Sequence, residues 1–193
     1  MAKNIVVILG HPDSQSFCAA LANAYVRGAA GAEHSVRVFR LGEIAFDATL
    51  HHGYHLIQVL EPVLQEVLDA IVAADHLVIV YPNWWGSMPG LLKGFFDRVL
   101  VPGVAFRYRK DSPLWDKLLT GKSARVIITM DTPLWYYWLV FGRPGFTQIR
   151  RTILGFCGIS PVGLTSIGPL RNSTPAWREA WLLRAQALGQ RGK

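Results

Sequence analysis

The chain predicts an α/β fold: a doubly wound, five-stranded parallel sheet between two layers of helices. Three observations carry this. Five apolar or β-branched runs recur along the chain: Lys3–Leu9, Ser35–Leu41, Leu77–Val80, Ala124–Met130 and Ile159–Ile167. Helix-periodic segments separate them, and strand–helix–strand alternation gives parallel strands with right-handed crossovers. The Leu77 and Lys3 runs are apolar without alternation, as strands covered on both faces are. At 193 residues, 51% hydrophobic and 17% charged, the chain suits one globular domain over residues 1–193 with a substantial core.

The helices follow from their own signals. Phe17–Ala29 is rich in alanine and leucine, with Ser16 placed to cap it. Glu61–Ala74 has Pro62 in its first turn and an apolar stripe of Val63, Val67, Leu68 and Ile71. Leu91–Leu100 follows Pro89, with Leu91, Leu92, Phe95 and Phe96 as its apolar face. Trp115–Gly121 reads as a short helix and turn, Trp135–Phe141 as an aromatic helix start, and Phe146–Cys157 as a helix ending at Gly158. The last helix, Pro175–Leu188, has Thr174 as its cap.

Composition excludes several classes. No apolar run reaches the roughly 18–20 residues of a membrane helix. The start runs directly into a strand pattern without a signal peptide. Two cysteines, Cys18 and Cys157, give no disulfide framework, so a reducing cytoplasm is expected. The net charge of +7 has its densest run at Arg107–Lys110, but Asp111 and Asp116 follow it and no nucleic-acid motif accompanies it. His51, His52 and His55 lack carboxylate or cysteine partners at ligand spacing, so no metal is expected.

In open α/β sheets, ligands bind outside the carboxyl ends of the strands. Three turns fall there. The first, Gly10–Ser16, is polar and opens a helix, which suits a phosphate through backbone N–H groups and the helix dipole. It has neither GxGxxG nor a Walker lysine, which argues against dinucleotide folds and NTPases. The second, Pro82-Asn83-Trp84-Trp85-Gly86-Ser87, sets two adjacent tryptophans in a turn, where both cannot point inward, and suits a flat ring. The third is Thr129-Met130-Asp131-Thr132, followed by Trp135-Tyr136-Tyr137-Trp138.

The stretch PNWWGSMPGLLKGFFDRVLVPGVAF resembles the flavin loop and following helix of the flavodoxin-like NAD(P)H:quinone oxidoreductases. The likeness runs over residues 3 to 170 and is most specific at Trp85–Arg98. It implies a flavodoxin-like fold, a bound flavin, a homodimer with the pocket at its interface, and hydride transfer from NAD(P)H to a quinone. Carried onto this chain, the phosphate turn is His11, Ser16, Phe17 and Cys18, with Ser14 beside them. The ring loop is Pro82, Asn83, Trp84, Trp85 and Gly86, with N–H groups of Trp84, Trp85 and Gly86 at the ring edge. Thr129, Met130, Asp131 and Thr132 replace the family's Thr-Thr-Gly-Gly run on the other side. Tyr136 and Tyr137 are the candidate proton donors to a quinone oxygen; the family's partner histidine has no counterpart in this loop. The chain lacks the longer carboxyl tail of the larger FAD-using relatives, which favours FMN over FAD. The alternatives are an azo- or nitro-reducing flavin reductase and a flavin-binding regulatory subunit of a membrane ion-efflux system. An electron-transfer flavodoxin fits poorly, since those proteins are usually acidic.

Overall fold

The computed structural model describes residues 1–193. Strands β1 (Asn4–Leu9), β2 (Ser35–Arg40), β3 (His76–Pro82), β6 (Ser123–Thr129) and β7 (Val162–Ile167) form one sheet, ordered β2-β1-β3-β6-β7. Every pairing in it is parallel. The order reverses direction between β1 and β3, so the crevice that favours a ligand opens there.

Alternation within the strands divides the core in two. Val6, Ile8, Leu77, Ile79, Tyr81, Val126 and Ile128 face helices α2 (Pro62–Ala73) and α3 (Gly90–Val99). Ile5, Val7, Leu9, Val78, Val80 and Ile127 face α1 (Phe17–Ala30) and α7 (Pro175–Gln190). Helices α1 and α7 cross at glycines: a Cβ on Gly28 would lie 1.9 Å from the Gln186 carbonyl oxygen, and one on Gly189 2.0 Å from that of Tyr25. Ser16 and Thr174 cap these two helices as expected, accepting from the N–H groups of Ala19 and Trp177. No helix is long and apolar enough to cross a membrane.

The Leu92–Arg98 motif has a mechanical explanation. The segment between β2 and α2 crosses α3 so closely that a Cβ on Gly94 would stand 2.4 Å from the Ala48 carbonyl oxygen. Arg98, fully buried on α3, fastens that segment. Its guanidinium donates to Glu61 at 2.9 and 3.3 Å, to the Val59 carbonyl at 3.0 Å, and to the Asp47 carbonyl. His51 pairs with Asp47 at 2.6 Å on the exposed side of the same segment.

Three expectations change. Trp115–Lys117 is a strand, β5, paired antiparallel with β4 (Phe106–Tyr108), and not a helix. Trp115 is drawn there by stacking on Phe156 at 4.3 Å and by donating from Nε1 to the Phe156 carbonyl. The Phe146–Cys157 helix is divided into α5 (Pro144–Thr147), a π-helical run Gln148–Leu154, and α6 (Gly155–Cys157). Gly155 permits the wider turn, since a Cβ there would meet the Arg150 carbonyl at 2.8 Å. The fifth sheet strand begins at Val162 because Pro161 has no N–H for the ladder.

Helix-facing His76 begins β3 and is 2% exposed, with Nδ1 2.7 Å from Ser123 Oγ. Burial pushes its pKa down to about 4. Above pH 6.5 both folded and unfolded chains hold it neutral, and stability is unaffected. Below 6.5 the unfolded chain takes up the proton first, so stability falls until about pH 4, by up to about 1.4 kcal/mol per pH unit. Urea titrations between pH 7 and 4 should show a shallower decline for His76→Asn than for the parent chain.

Candidate active site

The three turns meet at one rim. Residues after β1, β3 and β6 enclose a cleft of about 270 Å³ lined by His11, Ser16, Phe17, Cys18, Pro82, Asn83, Trp84 and Thr129 to Thr132. Eleven of the fourteen residues expected to bind the cofactor therefore share one cavity. Ser14, Trp85 and Gly86 stand outside its lining. Leu170 completes the lining and was not expected; its N–H donates to the Met130 carbonyl, a contact set by the turn after β7.

At the first turn the donors are already arranged. His11 Nδ1 accepts from the Asp13 N–H at 2.9 Å, which leaves the ring proton on Nε2 as an outward donor. Partial burial holds the His11 pKa below the ordinary imidazole value, against the opposing charge of Asp13. Its ring stands edge-on to Trp84 at 5.6 Å, joining the first turn to the second. The N–H groups of Phe17 and Cys18, in the first turn of α1, donate to no group of the chain. Cys18 itself is a buried thiol with its pKa pushed up to about 12, in contact with Thr129 Oγ1 at 3.2 Å; it serves packing, not nucleophilic chemistry.

The second turn is a tight hairpin. Trp84 and Ser87 exchange backbone hydrogen bonds at 2.9 and 3.0 Å, and the two residues between them, Trp85 and Gly86, both have positive φ, 52° and 80°. This corrects one expectation: the Trp84 N–H is spent on Ser87 and is not available at a ring edge. Those of Trp85 and Gly86 remain free of acceptors within the chain. So do the N–H groups of Asp131 and Thr132 in the third turn.

Tyr137 is also corrected. It is fully buried; its hydroxyl donates to the Gly86 carbonyl at 2.9 Å and accepts from the Gly145 N–H at 3.0 Å. Its proton is committed to the second turn, so it cannot be given to a substrate oxygen in this arrangement. Tyr137 positions Gly86 from behind. Gly145 must be glycine for this, since a Cβ would stand 2.7 Å from the Gly86 oxygen and 2.9 Å from the Tyr137 hydroxyl. Tyr136 is 37% exposed and its hydroxyl has no hydrogen-bond partner within the chain.

These donors fit a flavin mononucleotide. Helix-terminal N–H groups and the His11 Nε2–H suit a phosphate, and unspent N–H groups in the second and third turns suit the acceptor edge of the ring system. Trp85 is left fully exposed in a backbone conformation that costs a non-glycine residue about 1–2 kcal/mol. Trp85→Asn should therefore raise the unfolding free energy of the cofactor-free protein by about 1 kcal/mol while weakening flavin binding. Urea unfolding and a flavin titration of the same preparation check both signs.

A doubly wound parallel sheet with its cleft at the β1–β3 reversal and an anion-ready first turn defines the flavodoxin class of architecture. The chain belongs to the flavodoxin-like fold family, whose profile matches residues 3–187. It is 33% identical over 137 residues to an uncharacterized NAD(P)H oxidoreductase of Haemophilus influenzae, covering 67% of this chain and 65% of that protein. It is 34% identical over 112 residues to an FMN-dependent NADH:quinone oxidoreductase of Methylobacterium radiotolerans, covering 54% and 50%. The chain thus matches half to two thirds of the length of these curated relatives. Among solved structures, Smu.1420 from Streptococcus mutans UA159 superposes with a TM-score of 0.84 at 30% identity, over 97% of this chain and 98% of that one. An NAD(P)H:quinone oxidoreductase from Methanothermobacter marburgensis gives 0.82 at 24% identity, over 98% and 96%, a likeness of fold.

Proposed function

We propose that the protein is an FMN-dependent NAD(P)H:quinone oxidoreductase. The observation that carries this is the convergence of three turns on one cleft, with unspent N–H donors in the first and third turns lining it and in the second turn just beyond its lining, in a chain related to an NAD(P)H oxidoreductase and an FMN-dependent NADH:quinone oxidoreductase. When bound, a flavin supplies the two-electron chemistry, accepting hydride from NAD(P)H and delivering it to a quinone. The chain's own work is to bind and orient. His11, Ser16, Phe17 and Cys18 would hold the phosphate. Trp85 and Gly86, with Asp131 and Thr132 of the third turn, would offer N–H groups to the ring edge, where reduction gathers negative charge. Asn83 and Trp84 would bound the ring, and Ser14, beside the same turn, would add a hydroxyl. Tyr137 sets the height of the Gly86 turn, and Tyr136 is the remaining donor for a quinone oxygen.

The active form is a homodimer in this reading. Trp135, Trp138, Leu139, Val140 and Phe141 form an exposed apolar surface around α4 (Leu134–Leu139), next to the cleft. Such a patch marks an interface. Both cysteines are free and buried, which suits a reducing cytoplasm, where NAD(P)H is at hand.

The test is direct. The purified protein should be yellow, release FMN on denaturation, and oxidise NAD(P)H rapidly with menadione present. Protein that takes up no flavin defeats the proposal; protein that takes up FMN but leaves NAD(P)H unoxidised is a flavin-binding module instead.

A further inference from the structure

The basic charge of the chain is unevenly placed. From Thr132 to Arg178 there are five arginines and no aspartate, glutamate or lysine. Three of the five, Arg143, Arg150 and Arg151, line one cavity of about 140 Å³ together with Trp138, Phe146 and Thr147. Local structure gathers them. Arg143 takes a positive φ of 50°, and its guanidinium lies over the Trp138 ring, Cζ 4.3 Å from the centre. The π-helical run carries Arg150 and Arg151 to the same opening. Arg37, Arg40, Arg98 and Arg109 each donate to a side-chain oxygen elsewhere in the chain. Arg143, Arg150 and Arg151 are exposed and pair with no carboxylate. Thr147 adds a hydroxyl, and no acidic side chain lines the cavity.

Like charges gathered without a counter-charge repel one another, and an anion among them removes that cost. Guanidinium forks match the oxygens of a phosphate. Volume decides how much of a ligand enters. Sites that enclose a whole small molecule hold about 300–1,000 Å³, so 140 Å³ admits a phosphate group and leaves the rest of its ligand outside. Trp138, 46% exposed at the opening, offers that remainder a flat apolar surface, as a nucleobase requires. One layer of side chains separates the cavity from the second turn of the cleft. Phe146, in the cavity wall, is 5.0 Å from the Tyr137 ring, whose hydroxyl holds the Gly86 carbonyl. The cavity shares only Trp138 with the apolar α4 patch and so lies at its margin, where interfaces carry their polar rim.

We infer that this cavity holds the 2′-phosphate of NADPH and makes NADPH, not NADH, the preferred reductant. The assignment rests on the oxidoreductase reading, whose chemistry selects the group. The FMN phosphate belongs to the first turn, and the pyrophosphate is common to both nicotinamide nucleotides. The 2′-phosphate is the one terminal phosphate left for three unpaired guanidinium groups.

Calorimetric titration of the FMN-saturated protein with adenosine 2′-monophosphate, adenosine and inorganic phosphate reads the site without turnover. The nucleotide should bind with Kd of about 10–100 μM, and adenosine and phosphate each about tenfold or more weaker. In menadione assays the KM for NADPH should lie about tenfold or more below that for NADH. The double variant R150Q/R151Q, at two exposed positions, should weaken the nucleotide about tenfold and bring the two KM values within about threefold of each other. Arg27→Gln removes an exposed charge from α1, on the other face of the sheet, and should change neither reading. Equal KM values for the two reductants, phosphate binding as tightly as the nucleotide, or an equal effect of Arg27→Gln would overturn the inference and leave the oxidoreductase reading standing. Protein that takes up no flavin overturns both.

Discussion

Arg98→Met should lower the unfolding free energy by about 3 kcal/mol, near the lower end of what losing one partner of a buried ion pair costs. The side chain is 1% exposed and reaches Glu61 with both guanidinium nitrogens. Removing it leaves the Val59 and Asp47 carbonyls without their donor and the Glu61 carboxylate with only the Asp47 N–H, 3.0 Å away. Glu61 remains 30% exposed and recovers some water, which keeps the loss from being larger. Lysine is no remedy, since a single ammonium cannot fork across a carboxylate and two carbonyls. Urea titration at fixed FMN saturation measures the loss. Limited proteolysis adds a spatial check: new cleavage should appear between residues 47 and 61, the segment that Arg98 fastens. Unchanged stability with an intact segment would mean that Gly94 packing alone holds it.

The sequence revealed the sheet because its evidence is local. Runs such as Ile5–Leu9 and Leu77–Val80 carry their own burial pattern, and the turns after them can be placed by counting. It put the three turns at one rim of that sheet for the same reason. What it hid depends on closure in three dimensions. That the Trp84 N–H is consumed by Ser87 follows from a two-residue turn with positive φ at Trp85, and tryptophan gives no hint of that conformation. Tyr137 and Tyr136 are neighbours in sequence, but the helix turns one inward to Gly86 and the other outward. Leu170 reaches the cleft only because the chain after β7 returns to Met130. The β4–β5 hairpin was obscured because its pairing is decided by Phe156, about forty residues beyond Trp115. Where a residue's role is set by a distant partner, as with Arg98 and the Asp47–Glu61 segment, the motif was visible and its purpose was not.

FMN should bind about 1000-fold more tightly than riboflavin, a difference of about 4 kcal/mol. The two ligands share the ring and the sugar-alcohol chain, so the ratio isolates the phosphate. Four donors await it: the N–H groups of Phe17 and Cys18, the Nε2–H of His11 and the Ser16 hydroxyl, which already accepts from Ala19 and can still donate. Hydrogen bonds to a charged group contribute about 1.5–3 kcal/mol each, and stripping water from the dianion offsets part of their sum. The turn is partly open to solvent at Asp13 and Ser14, so added salt should narrow the ratio by competing for the same donors. Ser16→Ala removes one phosphate donor and the α1 cap together, weakening FMN more than riboflavin. Fluorescence titration of the two flavins gives both numbers. Equal affinities would place the phosphate away from α1, leaving the Trp85–Gly86 turn to hold the ring and the first turn without the anion its geometry is built to receive.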